Sequence, residues 1–288
     1  FKQRYVEMIN CFFTIKKLCN QYQYLLNQKK SRYLFFIQKG ILKTGIIIQA
    51  RVGSTRLPFK VLLPFYHTES IIEILIRQLM KNKNNLPLVL ATSSNSNDEV
   101  LCKLSENLGI DCFCGPEDDV LERFILTAEK YKFDRIIRIC ADNPFFDIEG
   151  TMDLLDGDHD YIAYRITGDV PSIKSHLGFW GEVVSLDALK KVRALTNDKL
   201  YREHVTNYIY SHPDHFRIKW VDAPSGVYYR GDIRLTIYDE IDFNMGRDLF
   251  QEMKEEEIMP IPEEIIPYLD KHPHYLETMR SQIKKYTK

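Results

Sequence analysis

The sequence predicts an α/β fold with a mostly parallel, doubly wound central sheet, and three observations carry that expectation. Short apolar runs bounded by turn residues, such as Gly45-Ile46-Ile47-Ile48, suit strands buried on both faces. Through residue 140 these runs alternate with segments of helical periodicity, the pattern of strand–helix–strand crossovers. Polar, charge-bearing loops follow the runs directly, at the sheet edge where open α/β folds bind ligands.

The elements follow in order. Residues 45–49 form the opening strand. Ser70-Ile71-Ile72-Glu73 reads as a capping box, so a helix begins there and runs to about Lys81. Residues 86–91 form the second strand, with Thr92, Ser93 and Ser94 following at the same edge. Residues 98–108 read as a helix stopped by Gly109. Residues 110–114 are a third strand, 119–131 a helix, and 135–140 a fourth strand. Beyond Gly157 the pattern loosens. Strands are expected at 161–166, 180–185, 216–221 and 233–237, and helices at 187–193 and from an Asp198 N-cap through Tyr210. The last fifty residues read as charged helix, divided by Pro260, Pro262, Pro267 and Pro273.

Charge divides the chain unevenly. The whole carries −1, yet residues 1–40 hold eight lysines and arginines against Glu7 alone, a local +7. Residues 1–44 are therefore expected to be a basic helical extension or linker, and residues 45–288 the functional domain. An amphipathic basic helix lies on a membrane surface, on a partner, or packed on its own protein, and the last is the plainer reading. No apolar run is long enough to span a bilayer. The chain opens at Phe1 without a leader pattern, as expected of a piece of a longer polypeptide. Six cysteines lack the paired spacing of a zinc motif, and they read as free thiols in a reducing, cytoplasmic setting.

The chemistry-bearing stretch is the loop after the first strand. It offers Arg51, Arg56 and Lys60 as cations, Gly53 for close backbone approach, and Ser54 and Thr55 as hydroxyls. That set suits a polyphosphate, because guanidinium forks pair with phosphate oxygens and a lysine adds a compact charge. Past the fourth strand, Cys140-Ala141-Asp142-Asn143-Pro144 places Asp142 where a magnesium ion bridging phosphates would sit; an Asx turn before Pro144 is the plainer alternative. Glu117-Asp118-Asp119 reads first as a helix cap, and residues 156–160 as a solvated turn. Arg202 and His204 fall in the first turns of a helix. No serine–histidine–aspartate set or cysteine–histidine pair stands out, so covalent catalysis is not indicated.

Together these stretches resemble the spore coat polysaccharide type of cytidylyltransferase, a relative of the Kdo and acylneuraminate cytidylyltransferases. The resemblance runs through residues 46–58 with Lys60, 91–93, 115–123, 138–144, 182–185, 202–206, 234–236 and 263–273, in order and spacing. It implies a Rossmann-like nucleotide-diphospho-sugar transferase fold and transfer of CMP from CTP to a sugar, commonly an acidic one, with release of pyrophosphate. On this basis Arg51 and Lys60 hold the triphosphate, and Ser54 and Arg56 complete its cradle with Gln49, Ala50 and Gly53. Ala91, Thr92 and Ser93, with Asp119 and Arg123, face the nucleoside. Asp142 binds Mg2+, and Glu182, Arg202 and His204 lie toward the acceptor sugar. The implied partners are CTP and a small sugar, without nucleic acid or membrane insertion. A homodimer and a fused domain upstream of Phe1 stay open.

Three positions depart from the family pattern. Phe59 replaces a glycine, a change expected to narrow the loop or demand negative φ. Tyr238 replaces an aspartate that serves as a second metal ligand in related enzymes, which leaves the adjacent Asp239 as the substitute. Trp180 replaces an acidic residue. Three readings follow: an active enzyme with a modified metal site, a weakened homologue kept for nucleotide binding or assembly, or a nucleotidyltransferase of this fold that uses another nucleotide or a non-sugar acceptor.

Overall fold

The computed structural model describes residues 42–81 and 85–286. The basic helix expected within residues 1–40 lies outside them. Strands β1 (Thr44–Gln49), β2 (Pro64–Tyr66) and β3 (Glu69–Ser70) precede helix α1 (Ile71–Lys81), then β4 (Leu88–Ser93) and α2 (Glu99–Leu108). β5 (Asp111–Gly115), α3 (Val120–Tyr131), β6 (Arg135–Cys140) and α4 (Ile148–Asp153) complete the regular half. The second half holds β7 (Tyr161–Ile166), β8 (Val170–Pro171), β9 (Glu182–Ser185), α5 (Leu186–Leu195), α6 (Lys199–Glu203), α7 (Asn207–Ser211), β10 (Ile218–Asp222) and α8 (Ser225–Tyr228). Three helices close the chain: α9 (Glu240–Glu255), α10 (Pro262–Lys271) and α11 (Pro273–Tyr286).

The main sheet has the order β10-β7-β9-β6-β1-β4-β5, with β8 paired to β7. β1 lies inside it, next to the central β6 and parallel to both β4 and β6. β9 runs antiparallel between β6 and β7, so the sheet is mostly parallel and not wholly so. Pleating divides the three isoleucines: Ile46 and Ile48 join the apolar layer formed with α1, α9, α10 and α11, while Ile47 joins the layer formed with α3, α5 and α7. Burial on both faces is why β1 reads as a continuous apolar run.

Local signals set many boundaries. Glu73 Oε2 accepts hydrogen bonds from Ser70 N at 2.8 Å and Ser70 Oγ at 2.6 Å, which fixes the start of α1. Gly109 ends α2 at φ +73, a left-handed value that glycine adopts without a Cβ penalty. Elsewhere tertiary structure overrides the pattern. The helix expected from Asp198 through Tyr210 is broken at His204 (φ −101, ψ 80), giving α6 and α7. Residues 233–237 form no ladder; Leu235 N and Thr236 N instead donate to the single carbonyl of His176. Pro262 and Pro273 open helices, whereas Pro267 sits inside α10 without ending it.

Asp239 is the N-cap of α9. Its Oδ1 accepts from Ile241 N and Asp242 N at 3.0 Å and from Gln282 Nε2 at 2.7 Å. Its Oδ2 accepts from Tyr286 Oη at 2.8 Å and Lys285 Nζ at 3.0 Å. Both oxygens are committed to joining α9 to α11, so this residue is not the substitute metal ligand that the sequence suggested. Burial pushes its carboxyl upward, but the bonds from Asp242 N, Gln282, Tyr286 and Lys285 outweigh burial and hold it well below the usual carboxylate range. A depressed folded value contributes stability above the unfolded pKa of about 3.9, and that contribution is lost as pH falls toward the folded value. Asp239→Asn should therefore lower the melting temperature at neutral pH and shrink the further loss between pH 5 and pH 3, measured by calorimetry. An acid profile identical to that of the parent protein would refute this assignment.

Candidate functional site

β1 delivers the loop 50–63 to the carboxyl edge of the sheet, and one buried carboxylate holds the loop's base there. Asp98 Oδ1 accepts from Val52 N at 2.7 Å, while Asp98 Oδ2 accepts from Ser93 Oγ at the end of β4. Ser54 Oγ accepts from Leu57 N at 3.3 Å and shapes the next turn. Phe59 N donates to Val52 O, and Phe59 O accepts from Leu62 N and Leu63 N. These bonds set Phe59 at φ +59 with its side chain 46% exposed. The loop thus keeps the left-handed conformation that glycine favours, and the expectation of a negative φ at Phe59 is corrected: three backbone bonds outweigh a conformational cost of about 1–2 kcal/mol.

Lys60 follows directly. Its Nζ lies 2.7 Å from Asp142 Oδ2 and 2.5 Å from Ile237 O. Asp142 O in turn accepts from Ile237 N at 3.0 Å. Three segments distant in sequence, the β1 loop, the end of β6 and the stretch before α9, are joined at this one ammonium. Arg56 stacks on Tyr238 with its guanidinium carbon 3.8 Å from the ring centroid. Arg51 is half exposed and 3.9 Å from Glu203, beside the exposed His204. Gly53 faces open space, where an added Cβ would meet nothing within 4 Å.

A buried shell supports these groups. Arg138 Nη1 donates to Glu182 Oε2 at 2.6 Å, and Arg138 Nη2 donates to Gln49 Oε1 at 3.1 Å. The Tyr161 hydroxyl donates to Glu182 Oε1, and Thr206 Oγ1 lies 3.1 Å from both oxygens. Burial, reinforced by the adjacent Glu182 charge, pushes the Tyr161 hydroxyl far up and keeps it a donor. Arg234 forms a two-pronged pair with Asp242, at 2.8 and 2.7 Å, and donates to His176 Nδ1 at 2.8 Å. Burial, with the Arg234 charge, lowers the His176 pKa, which suits a neutral acceptor. The indole of Trp180 donates to Asp147 Oδ2 at 2.9 Å, so this departure from the family pattern is a buried packing residue with its polar atom satisfied.

Several candidates therefore act differently from the sequence expectation. Glu182 is fully buried and has no surface to offer a sugar; it positions Arg138 and Tyr161. Arg123 is buried and spends its guanidinium on the carbonyls of Pro116 and Glu117, holding the loop before α3. Asp119 caps α3 through Glu122 N at 2.8 Å and pairs with Arg202 at 3.3 Å. Arg202 also donates to Arg193 O, Thr196 O and Asn197 Oδ1, so it ties α6 to its neighbours and does not reach outward. Ala91, Thr92 and Ser93 are buried, and the Ser93 hydroxyl is spent on Asp98. Asp98, Asp242 and His176 escaped sequence reading: the Asp98–Val52 and His176–Arg234 bonds join distant segments, whereas Asp242 carried a local sign, as the N3 member of a capping box with Asp239.

Lys60, Arg56 and Asp142 gather at the carboxyl edge of the sheet, and the sheet with its flanking helices is an α/β nucleotidyltransferase fold. The chain belongs to the cytidylyltransferase family, whose pattern matches residues 45–287. It is 35% identical over 240 residues to an uncharacterized protein of Methanocaldococcus jannaschii, covering 83% of this chain and 95% of that one. It is 34% identical over 244 residues to spore coat polysaccharide biosynthesis protein SpsF of Bacillus subtilis, covering 79% of this chain and 94% of that protein. Among solved structures, a cytidylyltransferase from Leptospira borgpetersenii superposes with a TM-score of 0.70 at 24% identity, covering 82% of this chain and 97% of that one. A CMP:2-keto-3-deoxy-manno-octonic acid synthetase complexed with CTP superposes at 0.54 with 16% identity, covering 73% and 99%. Both likenesses establish the fold, and family membership makes CTP-dependent transfer the class of chemistry.

Glu182→Ala should cost about 3–5 kcal/mol in urea unfolding, because it strands the buried Arg138 charge. A loss below about 1 kcal/mol would show that Arg138 finds another partner.

Proposed function

We propose that this chain is an active cytidylyltransferase that moves CMP from CTP to a hydroxyl of an acidic sugar and releases pyrophosphate, in surface polysaccharide or glycoconjugate assembly. The observation that carries the reading is the Lys60–Asp142 contact of 2.7 Å, with Arg56 and Arg51 on the same loop. The 34% identity to a protein named for spore coat polysaccharide biosynthesis supports the sugar acceptor. Residues 1–44 serve as an extension to the catalytic domain of residues 45–288, in a cytoplasmic setting. No helix among the described residues is long and apolar enough to cross a membrane.

In this reading Arg51, Arg56 and Lys60 bind the triphosphate oxygens and offset their charge as the α-phosphorus is attacked. The sugar oxygen bonds to that phosphorus as the bond to the pyrophosphate bridge oxygen breaks. No protein nucleophile is required. His204, exposed beside Glu203, is assigned to the acceptor sugar.

Asp142 suits Mg2+. Among the described residues one of its oxygens bonds only Lys60 and the other has no partner, a hard donor of the kind that holds this ion together with substrate phosphates. When bound, the ion supplies charge neutralisation at the α-phosphate and a more acidic attacking hydroxyl. Tyr238 is not a ligand in this scheme; its ring is the platform that aims Arg56.

Pyrophosphate release from CTP with a panel of acidic sugars tests the activity. Asp142→Asn and Lys60→Ala should each lower kcat by about 100- to 1000-fold while the fold is retained. Tyr238→Leu should weaken CTP affinity by roughly two- to fivefold, the equivalent of about 0.5–1 kcal/mol. Tight CTP binding without turnover on any acceptor would favour the weakened, binding-only homologue.

A further inference from the structure

A second cluster of reactive side chains lies away from Lys60 and Asp142. Cys112 and Cys114 alternate on β5, so both project from one face, while Phe113 between them joins the opposite apolar layer. Cys102 reaches them from α2, which covers that face. Its Sγ lies 2.7 Å from Cys112 Sγ and 2.9 Å from Cys114 Sγ, and the three sulfurs fall within 4.8 Å of one another. All three are free thiols. Among the described residues β5 is the edge strand of the sheet, paired with β4, and Cys114 on it is exposed.

We propose that Cys102, Cys112 and Cys114 form a binding site for Zn2+, held by three thiolates with a fourth position open to water. Three sulfurs each about 2.3 Å from one ion stand at most about 4 Å apart. Binding would open the closer pairs of the group, now at 2.7 and 2.9 Å, toward those spacings. The third cysteine decides between the chemistries, since a disulfide uses two sulfurs and leaves no purpose for a third aimed at the same point. Thiolate ligands also select zinc over the hard cation that suits Asp142. The binding step balances as three thiols and one Zn2+ giving a Zn(thiolate)3 unit and three released protons. Affinity should rise with pH, because the ion competes with protons for the sulfurs. The spacing escapes a sequence scan because the ligands come as one residue on a helix and an alternating pair on the next strand.

The site lies on the helix that follows Asp98, whose carboxylate holds both Val52 and Ser93. Joining α2 to β5 therefore braces the base of the β1 loop from behind, with Cys114 lying opposite Thr92 in the β4–β5 ladder.

The test uses the full chain with Cys11, Cys19 and Cys140 changed to serine, reduced and stripped of metal, then titrated with Zn2+ against a chromogenic chelator and with Co2+ by absorbance. One equivalent of Zn2+ and a thiolate-to-Co2+ charge-transfer band are expected. Cys102→Ser, Cys112→Ser and Cys114→Ser should each weaken binding at least about tenfold. Circular dichroism checks folding, and the exposed Cys114→Ala keeps the test decisive if a more buried variant unfolds. Absence of stoichiometric binding, or binding that the three substitutions leave unchanged, overturns the proposal. So does a disulfide within the cluster that, once reduced, yields protein unable to take up Zn2+.

Discussion

One ammonium group organises the candidate site. Lys60 Nζ is held between a carboxylate at the end of β6 and the carbonyl of Ile237, and through it three separate segments meet at one edge of the sheet. The β1 loop carries three cations within ten residues, and without a nearby anion and an electron-rich ring they would repel one another. Asp142 and Tyr238 offset that repulsion in different ways. Asp142 pairs with Lys60, and the Tyr238 ring takes the Arg56 guanidinium on its face. In the proposed function this arrangement stands ready for a polyanion, which lowers the ordering cost of binding.

Behind this contact stand two buried ion pairs. Arg138–Glu182 links β6 to the antiparallel β9, and Arg234–Asp242 anchors the segment that presents Ile237 O and Tyr238. Buried pairs of this kind add little net stability, since desolvation consumes most of the Coulombic gain. Their effect here is positional. Each charge is satisfied in only one arrangement: Glu182 by Arg138, Tyr161 and Thr206, and Arg234 by Asp242 and His176. Displacing either pair would misplace Gln49 or Tyr238, and with them the edge on which Lys60 and Arg56 sit. The Asp239 cap adds the last link by holding α11 against the start of α9.

The regular half of the fold was legible because its signals are local. The β1 isoleucines, the Ser70–Glu73 box and Gly109 each act within a few residues, and the structure follows them. The second half was less so. The break at His204 and the loss of a ladder at residues 233–237 arise from partners far along the chain, which periodicity does not register. The site divides the same way. Lys60 and Asp142 drew notice because a cation-rich loop and a carboxylate each follow a buried strand, and the fold brings the two together at 2.7 Å. Residue type alone did not separate ligand-facing groups from supporting ones: Arg123, Glu182, Arg202 and Asp239 have the right chemistry, yet their hydrogen bonds are spent inside the protein. Phe59 shows the converse, since the conformation a glycine would supply persists there through three backbone bonds.

The account rests on Asp142 being the carboxylate that serves a nucleotide-bound divalent ion beside Lys60. Electron paramagnetic resonance of Mn2+ titrated into protein with CTP measures this without depending on the identity of the sugar. The parent protein should hold one tightly bound ion per chain in the presence of CTP, and Asp142→Asn should lose it while remaining folded. Undiminished Mn2+ binding by Asp142→Asn would contradict the account.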